Sequence, residues 1–166
     1  MKVMKALFLC IFVSCYLITE AQTKNVIRKT YATFMVHIPG NIPVDREGNE
    51  IPQRDTVIMV YVETTSSEIN WKSGWMNDRT YSIIPTRIDS GHFDAGVVKS
   101  SNEEMIIKKS SAAHKLWRLQ LVPSDKQISC PAKNLPGEII ISAKCRNKKI
   151  LQRIRSIKEI NAIPTP

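Results

Sequence analysis

Residues 56–64 read Thr-Val-Ile-Met-Val-Tyr-Val-Glu-Thr and restrict the fold more than any other part of the chain. The run is rich in β-branched and aromatic residues and contains neither Gly nor Pro, which is the composition of a packed, pleated strand. It is also too short for a typical buried helix. The sequence therefore predicts a strand that is covered on both faces, with the other elements packed beside or across it.

Short apolar segments separated by turn residues recur along the rest of the chain. Their alternation of apolar and polar residues is typical of strands. The segments around Ser100-Ser101-Asn102 predict a hairpin. Strands are predicted at residues 30–38, 69–71, 80–84, 93–99, 104–109, 115–122 and 138–144.

Turn residues and prolines set the predicted boundaries of these strands. Residues 72–74, Lys-Ser-Gly, are interpreted as a turn, and Pro85 is interpreted as the end of the strand before it. Residues 41–55 contain two prolines and the turn-rich sequence Asp-Arg-Glu-Gly-Asn, so they predict a loop with a tight turn at its tip.

The tail, residues 148–163, fits two structures. Ile150, Ile154 and Ile157 have helical spacing, but the Ile-rich composition and the turn at Arg146-Asn147 favour the return strand of a hairpin. With that strand, the turn signals recur every 8–12 residues and give about eight short strands. The predicted fold is all-β: a single-domain β-sandwich of Ig-like or Greek-key type, with a small β-barrel as the alternative.

The first 21 residues have the layout of a secretory signal peptide. Two lysines give a positive start, residues 6–18 form an apolar run, and Thr19-Glu20-Ala21 places small residues where a signal peptidase reads them. The run is short for a membrane span. We expect cleavage after Ala21, which leaves residues 22–166 as one β-domain with a basic C-terminal third.

Two other fates of this segment stay open. Phe12-Val13-Ser14-Cys15 approximates a lipoprotein box, so lipidation at Cys15 would attach the protein to a membrane, and the apolar run could also remain as an uncleaved anchor. The expected location is outside the cytoplasm: periplasmic, associated with the outer membrane, or secreted. None of the Asn residues lies in an Asn-x-Ser/Thr sequon, which favours a bacterial envelope.

Cys130 and Cys145 are the cysteines that remain after residue 21. An even pair in an exported chain predicts a disulfide. Pro136-Gly137 lies between them and would let the chain fold back to bring the two sulfur atoms together.

Positive charge is concentrated near the C-terminus. Between residues 133 and 166 there are eight basic and two acidic residues, which gives +6, whereas residues 22–132 contribute only +2. Such a surface either aids solubility or attracts an anionic partner. The predicted hairpin places Arg153 and Arg155 as solvated charges on one face with Lys149 and Leu151. The candidate binding residues are Arg146, Lys148, Lys149, Arg153, Arg155 and Lys158.

Other candidate sites are weaker. The aromatic residues Trp71, Trp75 and Tyr81 either form part of the core or its edge, which is the favoured interpretation, or stack on a ligand. Trp75 follows a glycine in the predicted turn, so it is expected to be the most exposed of the three and is the candidate for such a contact. The three His residues are scattered without the spacing of a metal site. The chain also lacks a Gly-x-Ser-x-Gly nucleophile motif. We therefore assign no catalytic residue, no metal and no cofactor.

These features lead to two functional hypotheses of different classes. The first is an exported, non-enzymatic β-domain that acts as a binding or assembly component with a protein or an anionic envelope component. Nucleic acid is disfavoured because of the location and because aromatic residues do not alternate with the basic ones. The second is a small exported hydrolase or sugar-active enzyme, which a pocket with convergent carboxylates or a His–carboxylate pair would favour. A weaker third hypothesis is an exported inhibitor or effector.

Overall fold

The computed structural model describes residues 26–37, 46–48 and 55–161. These residues are all-β and contain no helix, which confirms the predicted fold class for a single domain. The strands are β1 (Ile27–His37), β2 (Asp55–Thr64), β3 (Ile69–Met76), β4 (Arg79–Ile88), β5 (His92–Val97), β6 (Glu104–Lys108), β7 (Lys115–Pro123), β8 (Ile139–Cys145), β9 (Lys148–Ile154) and β10 (Ile157–Glu159).

Some predictions concern residues that lie outside these ranges. The signal peptide, its cleavage site, Cys15 and Ile38 lie outside the described residues. Of the loop predicted at 41–55, residues 46–48 form a turn in which Gly48 has φ 84°, a backbone angle that favours glycine.

Eight strands form one sheet in the order β10-β1-β2-β7-β4-β3-β8-β9, and β5 pairs with β6 in a separate hairpin. The strands β9 and β10 stand at opposite edges of this order, yet only residues 155 and 156 separate them in the chain. Because the link from Ile154 to Ile157 can span at most about 11 Å, the two edges must lie close together. The strand β9 also approaches β1. The sheet is therefore curled into a half-barrel.

The alternation of side chains along β2 explains why it lies at the centre. Ile58, Val60 and Val62 point to the inside of the curl and join the main apolar cluster with residues of β1, β3, β4, β7, β8 and β9. Tyr61 points outward into a second cluster, where the β5–β6 hairpin covers it. Both faces of β2 are covered, as the sequence predicts. Each buried aliphatic side chain contributes about 1.5–3 kcal/mol, so the curl is stabilised mainly by this inner face.

Two predicted boundaries are wrong. Residues 72–74 do not form a turn, because β3 continues through Gly74 after a bulge between Trp71 and Gly74. A Cβ atom on Gly74 would lie 3.2 Å from Leu121 Cδ2, so glycine lets β7 pack closely there. The strand β4 also continues past Pro85, which pairs with β7. The ladder of β4 with β3 ends at Ser82, so the missing N–H of Pro85 leaves no unpaired carbonyl on that side.

The tail forms a strand, as the composition favoured. The strands β8 and β9 pair as a hairpin whose two-residue loop is Arg146-Asn147, with Arg146 at φ 52°. Ile154 is buried in the inner cluster and Ile150 packs against it, while Lys149 and Leu151 are exposed. The inward and outward positions in this hairpin are those predicted from its alternation.

The predicted disulfide is not formed, since Cys130 and Cys145 are both free thiols. Cys145 ends β8 and shares the inner face with Ile141 and Ala143. Cys130 is two residues after Ile128, whose carbonyl group accepts a hydrogen bond from the indole of Trp75 on the outer face. Trp75 pairs with Ile140, five residues before Cys145, or about 17 Å along the strand. The two thiols therefore lie on opposite faces and at opposite ends of β8.

We expect both thiols to react with iodoacetamide when the protein is unfolded without a reductant. Peptide mapping by mass spectrometry should find Cys130 and Cys145 each alkylated on separate peptides. In the folded protein Cys145 should react more slowly, because it is 8% exposed. A peptide in which Cys130 is cross-linked to Cys145 would contradict the arrangement of β8 and the segment that covers it.

Candidate functional site

The six predicted basic residues do not form one patch. Arg146, Lys148 and Lys149 lie at the tip of the β8–β9 hairpin. Arg153 and Arg155 lie at its other end. Lys158 is on β10 and lines a shallow cavity that Glu103 and Glu104 also line, so acidic side chains lower the positive potential around it. The fold brings only the first group together as a basic surface.

Arg153 and Arg155 share one buried acidic partner. Glu138 is 2% exposed. Its Oε2 accepts a hydrogen bond of 2.8 Å from the Arg153 guanidinium, and its Oε1 lies 3.4 Å from Arg155 Nε. Arg153 is directly opposite Ile140 on β9, which places it beside Glu138 on the outer face. The interpretation as a solvated charge is therefore wrong for Arg153, which neutralises a carboxylate that is almost removed from water, whereas the side chain of Arg155 remains 78% exposed.

The hairpin tip has a different character. Lys144 and Lys149 are directly opposite each other on β8 and β9, and both are exposed. Arg146 lies 3.5 Å from Glu68 in a pair whose side chains are 83% and 70% exposed, so its charge is only weakly compensated. We call Lys144, Arg146, Lys148 and Lys149 the basic tip. Like charges opposite each other destabilise a strand pair, so this surface is kept at some cost in stability.

A cavity of about 540 Å³ opens beside the basic tip at this end of the half-barrel. Arg146 and Lys148 contribute to its wall. The remaining wall comes from the start of β1, the end of β2 and the inner face of β8 and β9: Val26, Thr65, Ser66, Cys145, Asn147 and Ile150. The tip therefore offers a concave as well as a convex basic surface.

Trp75 is not an exposed aromatic side chain. It is 5% exposed and lies on the outer face of β3, opposite Thr80 and Ile140. Its indole N–H donates a 2.8 Å hydrogen bond to the carbonyl group of Ile128. The Thr80 hydroxyl both donates to that carbonyl group and accepts from the Ile128 N–H. These bonds hold the β7–β8 connection over Trp75, so stacking of a ligand on this ring is excluded in this conformation.

A charged cluster that no sequence pattern predicts surrounds Glu63, which is 1% exposed on the outer face of β2. Its Oε1 accepts hydrogen bonds of 2.6 Å from the Ser110 N–H and from His114 Nδ1, and its Oε2 accepts one of 2.9 Å from the Ser110 hydroxyl. The signal in the sequence was a single acidic residue at the end of an otherwise apolar strand. His114 lies between the strands predicted at 104–109 and 115–122, and no local pattern places it beside Glu63.

The electrostatics of Glu63 follow from two opposing effects. Burial raises the pKa of the carboxyl group, because it disfavours the charged form, but the hydrogen bonds from His114 and Ser110 outweigh it. The pKa of Glu63 is therefore held below its usual value. The carboxylate ties the connection between β6 and β7 to the end of β2.

A His–carboxylate pair is also the orienting half of a nucleophilic triad. In this cluster, however, the Ser110 hydroxyl donates to Glu63 and not to the imidazole. The geometry therefore serves to fix a loop, and it supplies no activated nucleophile. Within residues 26–37, 46–48 and 55–161, no group of three or more His, Cys, Asp or Glu side chains is arranged to hold a metal ion.

Family models, curated proteins and solved structures include none that matches this chain. In the part of the chain that the structure describes, there is no helix of the length and apolarity needed to cross a membrane.

The Glu138 cluster gives a matched pair of substitutions on the same partner. Arg153→Glu should destabilise the fold by about 3 kcal/mol or more, because it places a second carboxylate against a buried one. Arg155→Glu should cost about 1 kcal/mol or less, because the side chain of Arg155 is 78% exposed. Urea unfolding of the two variants measures the difference. Equal effects would contradict the assignment of Arg153 as the main partner of Glu138.

The Glu63 cluster predicts a dependence of stability on pH. Because the pKa of Glu63 is lowered in the folded protein, its contribution is fully present above about pH 4.3 and is lost as the pH falls through the folded-state value. Glu63→Gln should cost about 2 kcal/mol at neutral pH, and the difference from the unsubstituted protein should shrink in acid.

The exposed Glu68→Gln is the control for this experiment and should change stability by less than about 0.5 kcal/mol. Urea unfolding at several pH values provides the measurement. A difference between Glu63→Gln and the unsubstituted protein that stays constant down to pH 3 would show that the charge of Glu63 does not contribute.

Proposed function

We propose that the protein is an exported, non-enzymatic β-domain that binds an anionic component of the cell envelope, and that the basic tip is its contact surface. The observation that carries the proposal is the opposition of Lys144 and Lys149 on adjacent strands, next to Arg146 and Lys148. Fold stability alone would favour an opposite charge at one of these positions. Two lysines at these opposite positions are explained if an external anion compensates their charge.

The geometry of the tip suits a surface that carries many negative charges. Side chains directly opposite on paired strands lie about 5 Å apart, which is within the Debye length of about 8 Å at physiological salt. The charges of the basic tip therefore act as one field. Phosphate-bearing headgroups of an outer leaflet or an envelope glycolipid present matching negative charge. Export, as the N-terminal sequence predicts, would place the tip where it can reach them.

The alternative of a small exported hydrolase has less support. It needs a cavity with convergent acid and base groups. The described residues that line the cavity at the tip include no carboxylate and no imidazole. Glu63 and His114 do form a pair, but their hydrogen bonds are directed to the loop that they hold. Binding is therefore the function that we prefer.

The test is sedimentation with vesicles that contain phosphatidylglycerol, compared with vesicles of phosphatidylcholine alone. The double substitution Lys144→Glu/Lys149→Glu should weaken binding to the anionic vesicles at least about tenfold, since each lysine near such a surface contributes about 1 kcal/mol. Binding of the unsubstituted protein should also weaken as salt rises. Lys108→Glu/Lys126→Glu, which makes the same change of net charge on exposed residues elsewhere, is the control and should retain most of the binding.

The single substitution Lys144→Glu separates binding from folding. It creates an opposite-charge pair with Lys149, so it should raise stability by about 0.2–1 kcal/mol while it weakens binding. Equal loss of binding in the tip and control double variants would show that only net charge matters. Full binding by the tip variant would exclude the basic tip as the contact surface.

A further inference from the structure

The end of the half-barrel opposite the basic tip contains a larger cavity, with a volume of about 680 Å³. It lies where β1 ends, where β2 begins and where β7 ends, and the β3–β4 turn forms part of its rim. The mouth of a small barrel is a common place for a ligand, and cavities of about 300–1,000 Å³ accommodate small molecules. Nothing in the proposed role of the basic tip uses this cavity.

Most of the wall is apolar and belongs to the inner core. Ile58, Leu121 and Tyr81 are buried members of the main cluster, and Phe34, Met76 and Ile157 pack against it. Val57, Val122 and Pro123 extend this surface toward the opening. A hydrocarbon chain entering the cavity would therefore meet the aliphatic and aromatic side chains that stabilise the fold, and it would leave water as it did so.

Two polar groups on β4 are placed at this wall. Tyr81 is 9% exposed, and its hydroxyl forms no hydrogen bond with any described residue although its ring lines the cavity. Arg79 is two residues earlier on the same strand, so both side chains lie on the same face. Arg79 is exposed and forms no ion pair with the described part of the chain. It is also the one charged residue among the described residues of the wall.

We propose that this cavity binds a single amphipathic carboxylate, with its hydrocarbon portion against the inner core and its carboxylate at Arg79 and Tyr81. A guanidinium group pairs with a carboxylate through two parallel hydrogen bonds, and the phenolic hydroxyl supplies a further donor. No described wall residue is acidic, so the guanidinium of Arg79 has no carboxylate partner within the wall. An uncharged amphiphile would fill the same apolar space but would leave the guanidinium without its counter-charge.

The experiment is isothermal titration of the full chain with sodium dodecanoate, below the concentration at which it forms micelles, and with dodecanol as the uncharged probe. Dodecanoate should bind with one molecule per chain and at least about tenfold more tightly than dodecanol. Arg79→Gln should remove that preference for the carboxylate. Tyr81→Phe keeps the ring and should weaken dodecanoate binding by a smaller factor without a change in the apolar wall.

Two controls locate the site. Arg87→Gln, an exposed residue at the other end of β4 that pairs with Asp89, should leave dodecanoate binding unchanged. Lys144→Glu/Lys149→Glu should also leave it unchanged, which separates this cavity from the basic tip. Equal binding of dodecanoate and dodecanol, an unchanged preference in Arg79→Gln, or no binding of either probe would each overturn the proposal.

Discussion

The short link between β9 and β10 is the constraint on which the rest of the structure depends. Because two residues join strands at opposite edges of the sheet, the sheet must curl until those edges meet. The curl turns one face inward, where the alternating apolar side chains of β2, β7 and β8 form a single core. It also places β10 beside β1, which covers an edge that would otherwise be open to pairing with another chain. The two ends of the resulting half-barrel contain the two cavities.

Local sequence rules predicted much of this fold because strand periodicity and turn chemistry act over a few residues. They identified β2 as covered on both faces and the tail as a hairpin strand. They failed where tertiary contacts decide. Asn77 and Asp78, at φ 48° and 61°, make the tight turn between β3 and β4. The sequence prediction placed the turn at residues 72–74 because of Gly74. Gly74 is there for close packing against Leu121, and Pro85 is tolerated because β3 does not pair with that part of β4.

The candidate site could be predicted only in part, because charge is visible in a sequence whereas partners are not. The excess of basic residues in the C-terminal third is visible in the sequence. The ion pair of Arg153 with Glu138 is not, because it depends on the register of β8 with β9. Trp75 was expected to be the most exposed of the three aromatic residues, yet the β7–β8 connection folds over it through hydrogen bonds to Ile128. The same connection carries Cys130 to the face opposite Cys145. The cavity that Arg79 and Tyr81 line depends on the curl of the whole sheet, which no local pattern in the sequence encodes.

Long-range nuclear Overhauser effects test directly whether the half-barrel closes. A closed half-barrel should give cross-peaks between the backbone protons of Thr33 and Lys158, which are partners in the parallel pairing of β1 with β10. Cross-peaks are also expected between Ala143 and Ile150 across the β8–β9 hairpin. A spectrum with the hairpin cross-peaks but none between β1 and β10 would contradict closure, because the sheet would then be open and neither end would form its cavity.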